Sequence, residues 1–141
     1  RGYEWTDYRV EVELSIPVEV PWDPNGIGLS TVLVRGDKYA ENWDMVHVYS
    51  GEGQFLWWQA IDGAQKNHAW FDLFWTVGMA VNYDLYKMVV EVKGDRLTVW
   101  IDDVLVEDGS KAPLSLEKGT VGFRAYLGQW FTVHSLKVIE L

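Results

Sequence analysis

From Tyr8 to Val20 apolar and polar side chains alternate, with Tyr8, Val10, Val12, Leu14, Ile16 and Val18 on one side and Arg9, Glu11, Glu13 and Ser15 on the other. A period of two is the signature of a half-buried antiparallel strand. Asp23-Pro24-Asn25-Gly26 supplies the residues that turn a chain most readily, and a second extended run covers Ile27 to Arg35. After a loop from Gly36 to Asp44, the runs Met45 to Ser50 and Gly53 to Ile61 flank Gly51-Glu52 as the arms of a hairpin. A further extended run is expected from His68 to Thr76, whereas Thr76 to Leu85 follows no clear period. Tyr86, Met88, Val90 and Val92 then alternate with Lys87, Val89, Glu91 and Lys93; Gly94-Asp95 turns the chain, and Leu97, Val99 and Ile101 alternate with Arg96, Thr98 and Trp100. Asp102-Asp103 reads as another turn, followed by a loop holding Pro113. The last strands are expected from Gly119 to Tyr126, with Val121, Phe123 and Ala125 opposite Arg124 and Tyr126, and from Trp130 to Leu141.

No segment carries a helical period. Many short strands separated by turn residues predict an all-β chain folded as two packed antiparallel sheets. The length of 141 residues fits one domain, residues 1–141, and the opening at Arg1 without a signal-like pattern suggests a fragment of a larger protein. The absence of cysteine removes thiolate metal sites and thiol nucleophiles. A net charge of −9 opposes binding to nucleic acid or to anionic lipid, and no apolar run is long enough to span a membrane. What changes the picture is aromatic content: 9 Trp, 7 Tyr and 5 Phe exceed the needs of one small core. Rings at outward positions make platforms for the apolar faces of sugars.

The order of these pieces resembles the concanavalin A-like jelly rolls, in particular the laminin-G-like modules found beside bacterial glycoside hydrolases. The likeness lies in Trp5-Thr6-Asp7-Tyr8 ahead of a long first strand, the strand Gly28 to Arg35, the hairpin Tyr86 to Asp102, Gly119-Thr120-Val121-Gly122-Phe123, and the closing strand Phe131 to Val138. It implies a β-sandwich jelly roll that is an extracellular or cell-surface bacterial module, covalently linked to a catalytic domain in its parent protein. Phe55-Leu56-Trp57-Trp58-Gln59 with His68-Ala69-Trp70 looks like the Trp-Gln strand and downstream His of modules attached to α-L-rhamnosidases, some of which bind rhamnose with calcium. Where that subgroup holds the metal with an Asp-Asn pair, this chain reads Ser50-Gly51-Glu52-Gly53-Gln54.

Trp57 and Trp58 must leave a regular strand on opposite faces, so one ring is core and the other is a candidate platform. Parity places Gln59 with Trp57, while the resemblance pairs it with Trp58. The candidate ligand-binding set is Trp57, Trp58, Gln59, His68, Trp70, Arg124, Tyr126 and Trp130. Rings would stack on sugar, and the amide, imidazole and guanidinium would bond hydroxyls or a carboxylate. His47, His68 and His134 lack metal-ligand spacing, and of the three His68 shares a strand face with Trp70. No cofactor or metal is expected in the binding site, although Asp23, Asn25, Glu41, Asn42 and Asp44 offer oxygens to a structural calcium.

Catalysis is not expected. The clustered Glu-x-Asp-x-x-Glu of jelly-roll glucanases is missing, as are Gly-x-Ser-x-Gly and His-Glu-x-x-His, leaving only Asp62 and Asp72 beside the aromatic strands. The resulting expectation is a monomeric, non-catalytic carbohydrate-binding module that targets an attached glycoside hydrolase. The alternatives are an accessory sandwich domain packed on a catalytic domain and, behind it, a sugar-processing hydrolase.

Overall fold

The computed structural model describes residues 5–16, 29–36, 41–49, 53–109, 114, 118–124 and 131–141. Among these residues the elements run β1 (Tyr8–Ser15), β2 (Leu29–Gly36), β3 (Trp43–Tyr49), β4 (Gln54–Ile61), β5 (Ala64–Asp72), α1 (Leu73–Val77), β6 (Tyr86–Lys93), β7 (Arg96–Ile101), β8 (Val104–Glu107), β9 (Thr120–Phe123) and β10 (Thr132–Glu140). They form two five-stranded sheets, β10-β1-β6-β7-β8 and β5-β4-β3-β2-β9, with every neighbouring pair antiparallel. This is the all-β, two-sheet sandwich that the alternation predicts.

Alternation decides what fills the interior. Tyr8, Val10, Val12 and Leu14 of β1 meet Tyr86, Met88, Val90 and Val92 of β6 and Leu97, Val99 and Ile101 of β7 in one buried cluster. The second sheet adds Val34, Val46, Val48, Phe55 and Trp57. Each large apolar side chain so buried contributes about 1.5–3 kcal/mol relative to exposure. The intervening positions of the first sheet lie on the outer side and are mostly polar or charged, with Val89 and Trp100 as a half-buried apolar pair among them. Arg9 donates twice to Glu91 Oε2, at 3.1 and 2.7 Å, and Lys87 pairs with Asp103 at 2.8 Å.

Three elements depart from the sequence pattern. The run expected to stay extended through Thr76 ends at Asp72, and Leu73–Val77 is a short helix. Its start is set by the Asp72 carboxylate, which accepts from Trp75 N at 2.9 Å, and its end by Gly78, whose φ of 70° is left-handed. A five-residue helix is too short to display a 3.6-residue period. Strand β5 begins four residues before His68, because Asp62 and Gly63, with φ of 52° and 77°, turn the chain tightly after β4. That turn is fixed by Gly63 N donating to Glu41 O at 2.8 Å and Asp62 N to Asn42 Oδ1 at 2.9 Å. Finally, β8 follows Asp102 and Asp103, which have φ of 46° and 66°, where the sequence suggested only a loop. Val18, Val20 and the far end of the strand predicted up to Tyr126 lie outside the described residues.

Candidate functional site

The outer face of the second sheet is built by cross-strand register. Residues directly opposite one another in an antiparallel pair share a face. Met45 of β3 lies opposite Trp58 of β4, and Trp58 opposite His68 of β5. One step along, His47 lies opposite Leu56, and Leu56 opposite Trp70. Since Val46, Val48, Phe55 and Trp57 are core, and Ala69 and Phe71 pack against the core, all six of these residues belong to the outer side. Arg124 follows β9, and by alternation it leaves the chain on the side of Gly122, which lies opposite Leu33; Leu33 in turn lies opposite Met45.

His47 is buried beneath this face, 5% exposed, with the Trp58 ring edge-on to it at 5.6 Å between centroids. Burial, reinforced by the positive charge of Arg124, pushes the His47 pKa from 6.5 down to about 3. His47 is therefore neutral at ordinary pH and supplies a polar, uncharged floor. His68 is exposed, Trp58 is half-buried, and Trp70 stands 60% exposed. The face thus offers two rings, an accessible imidazole and a guanidinium, a set suited to a polar, uncharged or anionic ligand.

The structure sorts the sequence candidates. Trp58, His68 and Trp70 adjoin one another on this outer side, and Arg124 leaves the same side of the sheet from beyond β9, at the edge opposite β5. Trp57 does not: it is 2% exposed and belongs to the core, so the outward ring of the pair is Trp58. Gln59 also points inward, as parity requires, and is removed from the ligand set. Its Nε2 donates to Asp44 Oδ1 at 3.0 Å and its Oε1 accepts from Asn67 Nδ2 at 2.7 Å, a chain of polar groups across three strands that answers both ends of the amide. Tyr126 and Trp130 lie outside the described residues.

Sequence reasoning passed over His47. The signal was present, because the hairpin expected from Gly51-Glu52 implies Tyr49 opposite Gln54 and His47 opposite Leu56, diagonal to Trp58, which is the register of β3 and β4. His134, by contrast, lies on the edge strand β10 and bonds Ser15 Oγ through Nε2 at 2.8 Å. Of the oxygens considered for calcium, Asn42 Oδ1 accepts from Asp62 N and the buried Asp44 accepts from Gln59, while Asp23 and Asn25 lie outside the described residues. Among the described residues no three His, Asp or Glu side chains gather as a metal site. Asp62 and Asp72 lie beyond or at opposite ends of β5, whose eight residue steps span roughly 27 Å, far more than the roughly 5–9.5 Å of a glycosidase pair.

No family model matches this sequence, and no curated protein does. Solved structures do match in fold. The carbohydrate-binding module CBM66 from Bacillus subtilis is similar over 95% of this chain and 71% of its own, with 23% identity and a TM-score of 0.63. Chicken galectin 2 covers 97% of this chain and 94% of its own at 17% identity and a TM-score of 0.67. A toad ovary galectin, solved in complex with N-acetylgalactose, covers 97% and 93% at 11% identity and a TM-score of 0.67. At these identities the likeness establishes the fold, a concanavalin A-like jelly-roll β-sandwich.

Proposed function

We propose that this chain is a non-catalytic carbohydrate-binding module whose ligand lies on the outer face of the second sheet. The observation that carries the reading is the convergence of Trp58, His68 and Trp70 on one outer surface over the neutral His47, with Arg124 on the same side. Trp58 and Trp70 stack on sugar rings, His68 and Arg124 bond hydroxyls or a carboxylate, and Tyr126 and Trp130 complete the set from the segment after Arg124. Two supports stand beside the geometry. Structures of the same fold include a carbohydrate-binding module and a galectin in complex with N-acetylgalactose. The distant Asp62 and Asp72 supply no acid-base pair, which favours binding over hydrolysis.

Such a module, monomeric and attached to a glycoside hydrolase outside a bacterial cell, would raise the local concentration of substrate for its partner domain. Binding of a single sugar is then weak, because each hydroxyl gives up water before gaining a protein partner. Tethering compensates through effective concentration. The test is intrinsic tryptophan fluorescence of the isolated domain titrated with plant and microbial polysaccharides and their monosaccharides, including rhamnose with and without calcium. A saturable change abolished in Trp58→Ala and Trp70→Ala is expected. A folded protein silent across the panel would sink the reading.

A second reading, an accessory domain packed on a catalytic partner, draws on β10. Val133 and Leu136 lie opposite the core residues Leu14 and Val12, yet they are 37% and 48% exposed. That inward-facing edge would be the interface, and an isolated domain that self-associates through it while ignoring every glycan would favour this reading.

A further inference from the structure

Phe74 and Trp75 are 60% and 83% exposed, in contact with each other edge-to-face at 5.3 Å. They gain little from burial, yet the backbone beneath them is held by several hydrogen bonds. Asp72 caps the start of α1, Gly78 N donates to Phe74 O at 2.9 Å, and the buried Leu73 donates its N–H to Gly53 O at 2.9 Å. Beside Phe74 opens a cavity of about 220 Å³, walled by Met79, Val81, Gly53, Asp72 and Tyr83. This is below the roughly 300–1,000 Å³ of pockets for drug-sized ligands and suits one small ring.

Two polar groups face into it. Asp72 uses Oδ1 to hold Trp75 N, which leaves Oδ2 able to accept. The Tyr83 hydroxyl forms no hydrogen bond to any described residue, and burial together with the Asp72 charge raises its pKa, so it stays a neutral donor and acceptor. The carboxylate argues against an anion, and the carboxylate with the hydroxyl argues against a purely apolar guest. Aromatic faces beside a neutral hydroxyl and a carboxylate suit a ring that has C–H faces and hydroxyl edges. Asp72 also sits two residues beyond Trp70 on the same side of β5, about 7 Å along the strand.

We propose that the cleft between Phe74, Asp72 and Tyr83 is a second sugar-ring subsite, continuous with the Trp70 end of the outer face, so that the ligand held is an oligosaccharide. This rests on the reading of the Trp58 and Trp70 face as sugar-binding. Phe74 and Trp75 carry the second ring, the Tyr83 hydroxyl and Asp72 Oδ2 take its hydroxyls, and the first ring stays at Trp70.

The experiment follows the indole N–H signals of Trp58, Trp70 and Trp75 by NMR, assigned with single Trp→Phe variants. Gluco-, galacto-, xylo- and fructo-oligosaccharides are added, from monosaccharide to hexasaccharide. The expected result is that monosaccharides move Trp58 and Trp70, that longer chains also move Trp75, and that Trp75→Ala weakens only the longer chains, by up to about tenfold. Tyr83→Phe should act in the same direction, and neither variant removes a core side chain. Movement of Trp58 and Trp70 with Trp75 still at every length overturns the subsite and leaves the main face standing. Movement of Trp75 alone sinks the main face and, with it, the cleft as a second subsite continuous with that face, and no movement of any of the three overturns both.

Discussion

A tryptophan does opposite work according to which side of a strand it leaves. Trp57→Ala removes a ring from the core, and a cost of about 3–5 kcal/mol is expected in urea unfolding. Trp58→Ala should cost under about 1.5 kcal/mol while abolishing the fluorescence response to glycan. His47 provides a second residue-scale prediction, on pH. The unfolded chain binds a proton at this imidazole near pH 6.5 and the folded chain only near 3, so between these values protons favour the unfolded state. Stability should fall as pH drops through that window, by up to about 1.4 kcal/mol per unit from this residue, and His47→Gln should lose this part of the slope. How much of the site was legible follows from the same residues. The period of two showed that one of Trp57 and Trp58 must point outward and that Gln59 sides with Trp57. Which side was core could not be read from β4 alone, because Phe55, Leu56, Trp57 and Trp58 are all apolar; the partner strands decide it, through Val46 and Val48 opposite Trp57 and Phe55.

At the scale of elements, the strands with strict alternation, β6, β7 and β1 from Tyr8 to Ser15, stood where the pattern placed them, since a buried core backs a largely polar outer side there. The elements that escaped notice are short or governed by backbone torsions. The two residues with positive φ before β8 and the pair before β5 make tight hairpins with side chains that also occur in ordinary loops. Helix α1 owes its existence to caps at each end rather than to an amphipathic face. Gly78→Ala should therefore cost about 1–2 kcal/mol, the penalty of a left-handed non-glycine residue, and should raise hydrogen exchange around Met79 before the sheets loosen. Gln59→Ala is expected to cost about 1.5–3 kcal/mol, since it strips the buried Asp44 carboxylate of a donor, while leaving glycan affinity in the folded fraction unchanged.

For the whole molecule, the net charge of −9 acts on any approaching ligand. A polyuronate meets long-range repulsion despite Arg124, so its association should quicken and tighten as salt rises from about 10 to 150 mM, over which the Debye length shrinks from about 30 to 8 Å. A neutral glycan should be indifferent to the same change, and titrations in both buffers separate the cases. The pairing of β1 with β10 has a different consequence, one of timing. β1 lies between β6 and β10, so a chain emerging from the ribosome holds β1 with one side unpaired until β10 is released. The first sheet closes only then, over a loop that takes in every element from β2 to β9, and refolding on the slow millisecond-to-second scale of non-local β proteins is the natural outcome.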